Sequence, residues 1–348
     1  MGKFLKIFCM AAVSLIILSG CGEKQEIPEQ PETEQTEQSE TDDKTEDKTE
    51  DKIEDKTGDK TIDKTDGKAE GNEAQNITEE EIDFSNAFQG INGCAVLYSP
   101  SENRYSFYNK ALSEQEASPY STFKIVSALM GLHNEIIKDE SSTMNYNGTE
   151  YPNPEWNGNL TFQEAFQTSC IWYFRQIIDA VGEDEAGKEL SELEYGNCDI
   201  SQWEGSNINP YPELNGFWLN ASLKISPLEQ VAVLSKIFEG KSIYDRRDIE
   251  ILKKVMLTQD NGTQQIYGKT GSGSDGEAWF VGFIETAEQR RYFAVYLNDV
   301  SQEDQISGST AKEIALKYWN RDKGGSESCL RQILFAGWNV LRLSVIMR

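Results

Sequence analysis

Short runs of hydrophobic and aromatic residues predict strands near both ends of the ordered part of this chain. Polar or glycine-containing turns separate neighbouring strand segments. The long region between the two groups, 123–238, has hydrophobic residues at helical spacing with several breaks, and 309–319 repeats that spacing. The strands are predicted at 93–98, 104–108, 265–269, 278–284 and 291–297. The pattern therefore predicts an α/β (α+β) fold, in which strands from both ends form an antiparallel sheet flanked by helices and the middle forms an inserted helical lobe.

The first 21 residues have the pattern of an export signal. Lys3 and Lys6 precede an apolar run, 7–18, that is too short to span a membrane comfortably. Small residues then lead to Cys21, as in a lipoprotein signal, where the cysteine becomes the lipidated N-terminus. The alternative is a simple secretory signal with an incidental cysteine. Both predict export, and lipidation predicts an anchor on the outer face of a membrane.

Charge separates a polar tether from the globular part. The chain has a net charge of −26, and residues 23–83 hold 24 acidic and 8 basic residues, a net charge of −16. Few hydrophobic residues and repeated Asp-Lys-Thr units predict a disordered, extended tether over 22–81. The acidity argues against nucleic-acid binding. A globular domain is predicted at 82–320, and the atypical tail at 321–348 is assigned no role.

The histidine and cysteine content excludes several mechanisms. His133 is the only histidine, so a Ser-His-Asp triad and any metal site that needs two histidines are excluded. Outside the signal, the cysteines lack the spacing of metal ligands, and no metal site is predicted. Buried free thiols are expected at Cys94 and Cys170, while a disulfide within the set Cys94, Cys170, Cys198 and Cys329 stays open.

Four short motifs carry the candidate chemistry. In Ser121-Thr122-Phe123-Lys124, a helix would place Lys124 one turn after Ser121 on the same face, within reach of its hydroxyl. Each motif alone is also compatible with ordinary helix, turn or strand chemistry. The other three are Ser169-Cys170-Ile171 in a predicted helix at 168–178, Tyr195-Gly196-Asn197 in a predicted turn, and Lys269-Thr270-Gly271 at a predicted strand end.

Together, in this order and spacing, the motifs resemble those of the serine-reactive penicillin-recognising enzymes. The Tyr195-Gly196-Asn197 turn narrows the resemblance to the class D (oxacillinase-type) β-lactamases and the related penicillin-sensing domains of membrane signal transducers. The resemblance covers residues 91–320 and implies a serine β-lactamase/transpeptidase-like fold. Supporting segments are Phe217-Trp218-Leu219, Leu223-Lys224-Ile225-Ser226-Pro227 and Ala278-Trp279-Phe280-Val281-Gly282.

The resemblance implies acyl transfer to a serine. Ser121 would attack the β-lactam carbonyl and become acylated. Lys124 would be the general base after carboxylation of its amine by carbon dioxide, and Trp218 would donate its indole N–H to the carbamate. Burial would favour the neutral amine that this reaction needs, because a free lysine has a pKa of about 10.4. Ser169 would relay protons between Lys269 and the leaving nitrogen.

The resemblance also implies a set of substrate-binding groups. Lys269 and Thr270 would bind the substrate carboxylate, and the backbone amides of Ser121 and Ser272 would form the oxyanion hole. The remaining residues implied to bind substrate are Gly271, Ile171, Tyr195 and Asn197. This chain departs from many class D enzymes in two places: no arginine lies within 304–311 to bind the carboxylate, and the connection 198–216 is long.

The leading interpretation is a lipid-anchored class D β-lactamase that hydrolyses penicillins first and confers resistance. The alternative is a non-hydrolytic penicillin-binding sensor domain with a long-lived acyl-enzyme. A peptidoglycan peptidase is a third interpretation, which Trp218 and the Tyr195-Gly196-Asn197 turn disfavour. The expected partner is a β-lactam, and no cofactor is expected beyond carbon dioxide or bicarbonate for Lys124. The oligomeric state stays open.

Overall fold

The structure is a computed structural model that describes residues 77–273 and 276–317, apart from the side chains of 304 and 305. The predicted signal with Cys21, the tether up to residue 76 and the tail at 321–348 lie outside these residues. Within them, no helix has the length and apolarity needed to cross a bilayer.

Seven strands form one sheet within the described residues. They are β1 (Thr78–Glu81), β2 (Gly93–Ser99), β3 (Arg104–Tyr108), β4 (Leu257–Asp260), β5 (Gln264–Ser272), β6 (Glu277–Thr286) and β7 (Arg290–Asn298). Their order is β1-β3-β2-β7-β6-β5-β4, and neighbours are antiparallel except for the parallel pair β1 and β3. Because β2 pairs with β7, strands from both ends of the domain form a single sheet, as predicted.

Most helices lie between β3 and β4 in the chain, which confirms the predicted inserted helical region. They are α1 (Ser85–Phe88), α2 (Lys110–Ser113), α3 (Lys124–His133), α4 (Phe162–Gln167), α5 (Ile171–Val181), α6 (Glu183–Leu193), α7 (Pro227–Phe238), α8 (Arg246–Met256) and α9 (308–317). Capping boxes at Thr161 and Ser226 begin α4 and α7, since each hydroxyl accepts a bond from the glutamate amide three residues on.

Hydrophobic residues cover both faces of the sheet. Along β6, Trp279 and Val281 join a core that includes Phe123 and other residues of the helical region. Phe280, between them, joins a second core with Ala311 of α9. Alternate residues of a strand point to opposite faces, so β6 packs on helices from two sides. The candidate chemistry lies on the face covered by α3 and α5.

The domain starts earlier than the sequence pattern predicts. Residues 78–81 were predicted to belong to the tether, yet they form β1, an edge strand whose four residues are exposed. Parallel pairing with β3 holds it, and Ser106 Oγ donates a hydrogen bond to Glu80 at 2.6 Å. A strand with no hydrophobic alternation leaves no signal in the sequence, because its stability comes from backbone pairing. The boundary therefore lies at residue 78 or before, and not at 82.

Candidate active site

A tight turn places the candidate nucleophile against its base. Residues Tyr120–Phe123 form a 3-10 turn that leads directly into α3, which begins at Lys124. Side chains three residues apart eclipse one another in a 3-10 turn. Lys124 Nζ accordingly donates a hydrogen bond to Ser121 Oγ at 2.9 Å. The structure thus brings together the two residues that the sequence paired.

Lys124 lies in an apolar enclosure. Its side chain is fully buried, and its Nζ lies 5.5 Å from the centroid of the Phe174 ring. Burial lowers the pKa of Lys124 to about 7, and an electrostatic interaction with Cys170 opposes that shift. The cost of desolvating an ammonium accounts for this direction, since burial disfavours the charged form. Lys124 can therefore exchange a proton near neutral pH.

A second serine–lysine pair joins the helical region to the sheet. Lys269 Nζ, on β5, donates hydrogen bonds to Ser169 Oγ and to the carbonyl of Thr270, each at 3.0 Å. Burial, then the charge of Lys124, then that of Lys312 lower the pKa of Lys269 well below its ordinary value. Because the charge of Lys124 affects the pKa of Lys269, the two serine–lysine pairs belong to one site.

Ser169 does not lie inside a helix, contrary to the prediction. It follows the end of α4 with a left-handed backbone, φ 58°. Its amide donates to the carbonyl of Phe166, and the amide of Cys170 donates to the carbonyl of Ala165. These two bonds form a Schellman motif, which usually has glycine at the left-handed position. The break between α4 and α5 turns the Ser169 hydroxyl toward Lys269.

Two buried polar groups near Lys124 have no hydrogen-bond partner among the described residues. They are Trp218 Nε1 and Ser127 Oγ. Ser127 lies three residues after Lys124 on α3, and the Trp218 ring packs against Phe123 with centroids 5.3 Å apart. Buried N–H and O–H groups are nearly always paired. Each of the two groups is therefore a buried donor that can bind an acceptor placed beside it.

The Tyr195-Gly196-Asn197 turn packs beneath the nucleophile turn and is linked to it through Gln230. Tyr195 is 1% exposed, so burial prevents the direct substrate contact that was predicted for it. Its hydroxyl instead accepts from Gln230, which also donates to the Thr122 hydroxyl at 2.9 Å. The Asn197 side chain binds the backbone of the 222–224 segment, with Oδ1 accepting from the Lys224 amide at 3.0 Å. Tyr195 therefore supports the nucleophile turn through Gln230, whereas Asn197 holds the 222–224 segment in place.

The Lys269-Thr270-Gly271 strand runs beside the nucleophile turn. A Cβ added at Gly271 would lie 3.2 Å from the carbonyl oxygen of Pro119 and from a Thr122 methyl group, so glycine allows this close approach. Ser272 is exposed and its hydroxyl accepts a hydrogen bond from the Gly308 amide at 2.9 Å. Ile171 is half-buried at the start of α5. The oxyanion-hole role of the Ser121 and Ser272 amides stays a prediction.

Sequence reasoning missed residues that approach the site from distant segments. Glu277 Oε2 accepts a hydrogen bond from the Tyr120 hydroxyl at 2.5 Å, and Lys312 of α9 lines a pocket with Lys269. Neither residue belongs to a motif. Only the register of β6 and the packing of α9 bring them near, so no short-range signal could have found them.

A comparison with protein families covers the segment that contains both serine–lysine pairs, Trp218 and the Lys269-Thr270-Gly271 strand. Residues 67–318 match the penicillin-binding protein transpeptidase domain. The chain belongs to this family. Its described fold, a seven-stranded sheet flanked by helices, is that of the class D β-lactamases and transpeptidases, as expected from the motifs.

Individual relatives fall into two groups. The chain is 35% identical to the regulatory protein BlaR1 of Bacillus licheniformis over 240 residues, which cover 67% of this chain and 38% of that protein. It is 31% identical to the probable β-lactamase YbxI of Bacillus subtilis over 243 residues, which cover 69% of this chain and 84% of that protein. The C-terminal domain of the Bacillus licheniformis BlaR penicillin-receptor superposes with a TM-score of 0.63 at 33% identity, covering 71% of this chain and 97% of that domain.

The match to BlaR1 is a match to one part of a longer protein. The chain spans 38% of the length of that relative but 84% of YbxI. The similarity therefore relates this domain both to class D β-lactamases and to penicillin-receptor domains. The similarity alone does not separate a β-lactamase from a penicillin receptor.

Proposed function

We propose that this domain hydrolyses β-lactams through an acyl-serine intermediate, with Ser121 as the nucleophile. The observation that carries the proposal is the 2.9 Å hydrogen bond between Ser121 and a fully buried Lys124. Because burial lowers the pKa of Lys124 to about 7, a large fraction of its amine is neutral at that pH. A neutral amine can accept the serine proton, whereas an ordinary protonated lysine cannot.

Acylation requires one proton to leave Ser121 and another to reach the ring nitrogen. Ser121 Oγ forms the bond to the β-lactam carbonyl carbon while Lys124 accepts its proton. The carbonyl–nitrogen bond of the ring then breaks, and Ser169 gives the nitrogen a proton. Lys269 replaces that proton through its 3.0 Å hydrogen bond to Ser169. One serine–lysine pair thus attacks the carbonyl carbon, and the other protonates the leaving nitrogen.

We further propose that carbon dioxide carboxylates the Lys124 amine. This chemistry would supply an anionic base in place of an amine. The residues present fit such a group, because Trp218 Nε1 and Ser127 Oγ are buried donors without a partner among the described residues. The apolar surroundings, which include the Phe174 ring, favour the neutral amine with which carbon dioxide reacts. Trp218 and Ser127 would donate hydrogen bonds there.

Deacylation separates an enzyme from a receptor. For hydrolysis, Lys124 first gives up the proton taken from Ser121, which returns through water to Lys269. Water then attacks the acyl carbon while Lys124 accepts its proton, and Lys124 passes that proton to the Ser121 oxygen as the acyl bond breaks. A receptor function is the second candidate, and the 35% identity to BlaR1 favours it. A receptor would follow the same acylation steps and keep the acyl group on Ser121. The two functions therefore share every residue up to the acyl-enzyme and differ in the action of Lys124 afterwards.

Turnover decides between the two functions. The purified protein is mixed with a penicillin or a chromogenic cephalosporin, product is measured over time, and intact mass reports the acyl adduct. Many turnovers per protein support hydrolysis. A single stoichiometric burst with a stable adduct supports the receptor. If the protein shows neither turnover nor an adduct, or if Ser121→Ala keeps either of them, both functions are wrong.

We also propose that the protein is exported and anchored through a lipidated Cys21. The support is the sequence pattern alone, a basic start, a short apolar run and small residues before the cysteine. Mass spectrometry of the N-terminal peptide from the membrane fraction tests it, with Cys21→Ser as the control. Diacylglycerol on Cys21 is the expected result, and release of both proteins without lipid would contradict the anchor.

A further inference from the structure

The long connection 198–216 is held at two points by one buried arginine of α5. Arg175 is 5% exposed although it carries a charge. Its Nη1 donates to the carbonyl of Trp203 at 2.9 Å and to the carbonyl of Asn215 at 3.5 Å. A buried charge is costly unless its donors are paired. Arg175 therefore needs the connection, and it joins the early part of the connection to its end.

Two carboxylates complete the contacts of Arg175 and fix the direction of its guanidinium. Its Nε donates to Asp179, one helical turn further along α5, at 2.9 Å. Its Nη2 contacts Asp179 at 2.8 Å and donates to Glu204 of the connection at 3.0 Å. Together with the two carbonyls, these contacts use all five N–H groups of the planar guanidinium. A lysine ammonium lacks this fork and could not reproduce the contacts.

The end of the connection lies directly against the ring of Trp218. A Cβ added at Gly216 would lie 2.4 Å from Cζ3 of that ring, so the ring rests on the Gly216 backbone. Gly216 follows Asn215, whose carbonyl Arg175 binds. A Cβ added at Gly205 would lie 2.5 Å from the Gly216 amide nitrogen, so the early part of the connection packs on its end. Displacement of either part would therefore move the surface on which the Trp218 indole rests.

Aromatic contacts provide a second route from Arg175 to Trp218. The Arg175 Cζ lies 5.8 Å from the centroid of the Trp203 ring, which stacks on Phe217 at 5.1 Å. The Phe217 ring in turn packs edge-to-face on Trp218, with centroids 5.0 Å apart. Both routes end at the residue that is proposed to donate a hydrogen bond to a carboxylated Lys124.

We propose that Arg175 is a positioning residue for Trp218: by holding the connection 198–216 on α5, it directs the indole N–H toward a carboxylated Lys124. The inference rests on the proposed function, because it concerns the carboxylation proposed there. Trp218 Nε1 has no partner among the described residues, so packing alone sets its direction. The same helix, α5, places the Phe174 ring 5.5 Å from Lys124 Nζ. Arg175 therefore joins the helix that faces Lys124 to the segment that carries Trp218.

The experiment measures carboxylation of Lys124 directly. The purified protein is titrated with ¹³C-labelled bicarbonate at a pH of about 8, above the Lys124 pKa of about 7. The ¹³C signal of the carbamate, assigned by its loss in Lys124→Ala, gives the bicarbonate concentration for half-carboxylation. The ¹H–¹⁵N signal of the Trp218 indole, assigned with Trp218→Phe, reports on the donor. Both signals are followed in the unmodified protein, Arg175→Gln and Arg175→Lys.

Arg290→Gln is the matched control, because it removes another arginine that joins a carboxylate to a backbone carbonyl. Arg290 donates to Glu285 at 2.6 Å and to the carbonyl of Phe238 at 2.7 Å, and neither partner belongs to the site. Thermal unfolding shows whether each variant is folded. Arg175→Lys keeps the buried charge, so it is the variant to compare if Arg175→Gln does not fold.

Arg175→Gln should raise the bicarbonate concentration for half-carboxylation about tenfold, the effect of misplacing one buried donor. Arg175→Lys should raise it less, because it keeps the charge but not the fork. The Trp218 indole signal should shift on carboxylation in the unmodified protein and shift less in Arg175→Gln. Arg290→Gln should be less stable than the unmodified protein but should be carboxylated at the same bicarbonate concentration.

Unchanged half-carboxylation in the folded Arg175 variants would overturn the inference and leave the proposed hydrolysis intact. An equal rise in Arg290→Gln would overturn it as well, because it would show a general effect of lost stability. If the unmodified protein gives no carbamate signal, carboxylation of Lys124 is wrong and the inference falls with it. Acyl-adduct formation at Ser121 tests the hydrolysis separately, so the two failures are distinguishable.

Discussion

The Tyr120 hydroxyl donates a hydrogen bond to Glu277 across 157 residues of sequence, at 2.5 Å. The other carboxylate oxygen of Glu277 accepts a bond from Tyr296 at 2.6 Å. Tyr120 directly precedes the nucleophile and has a left-handed backbone, φ 48°, which is costly for a bulky residue. Its amide also donates to the Trp218 carbonyl at 3.1 Å. The surrounding contacts therefore hold a strained conformation that sets the position of Ser121.

Removal of the Tyr120 hydroxyl should impair acylation. Tyr120→Phe keeps the ring but loses the bond to Glu277, so the turn can relax away from its strained conformation. We expect the acylation rate to fall about tenfold and the free energy of unfolding to fall by about 1–2 kcal/mol. Stopped-flow acylation and denaturant unfolding measure these two effects.

Tyr98→Phe provides the matched control for Tyr120→Phe. Its hydroxyl binds Asn103 at 3.2 Å, in the turn that joins β2 to β3. The Tyr98→Phe variant should be less stable than the unmodified protein but should be acylated at the same rate. Equal acylation rates in Tyr120→Phe and the unmodified protein would show that Glu277 does not position Ser121.

The left-handed backbone of Ser169 separates its chemical role from its structural role. Ser169→Gly and Ser169→Ala both remove the hydroxyl that accepts from Lys269, and both should slow acylation about a hundredfold or more. Only glycine adopts φ 58° without strain. Ser169→Gly should therefore be more stable than Ser169→Ala by about 1 kcal/mol. Equal stability of the two variants in thermal unfolding would argue against strain at this position.

The sequence predicted the pairing of Ser121 with Lys124, which lie within one turn. It did not predict the backbone conformation of the neighbouring segments. The spacing of Ser121 and Lys124 is sufficient to bring their side chains together, because local geometry fixes contacts three residues apart. The hydrophobic spacing over 168–178 predicts a helix that includes Ser169, because that spacing does not reveal the break before α5. Serine is also an uncommon residue at a left-handed helix end, so the sequence carries no stop signal there.

Contacts between distant segments depend on strand register and helix packing, which a hydrophobic pattern does not specify. Glu277 reaches Tyr120 only in the observed register, which pairs Glu277 with Asn298. A shift of one residue would send that side chain to the other face of the sheet. Burial of Tyr195 likewise follows from how α7 packs, since Gln230 of that helix contacts its hydroxyl. The turn was predicted correctly, but not the direction in which its tyrosine points.

Activity should fall as the pH falls through about 7. Burial lowers the pKa of Lys124 to about 7, so the amine gains a proton below that pH and can no longer accept one from Ser121. Acid also removes carbon dioxide from a carbamate. We expect steady-state hydrolysis to decline in mild acid and to recover in part when bicarbonate is added.

A pH–rate profile with and without bicarbonate tests the role of Lys124, and intact mass reports an added carboxyl group. Lys124→Ala should still acylate slowly but should nearly stop deacylating, whereas Ser121→Ala should do neither. If bicarbonate changes nothing and no added mass is found, Lys124 acts as a free amine. A flat profile between pH 5 and 8 (a range chosen about the pKa of about 7) would contradict a role for its titration.

Gly196 should be required for the turn behind the nucleophile. It has φ +54°, and an added Cβ would lie 2.0 Å from the Lys224 carbonyl oxygen, which is backbone and cannot move alone. Gly90 has φ +88° but nothing within 4 Å of an added Cβ. Gly90→Ala should therefore cost about 1–2 kcal/mol for the backbone conformation alone, and Gly196→Ala should cost several kcal/mol. Since Tyr195 contacts Gln230, which binds Thr122, Gly196→Ala should also slow acylation, whereas Gly90→Ala should not. Denaturant unfolding and acylation rates measure both effects, and equal losses of stability in the two variants would show that the Lys224 backbone moves aside.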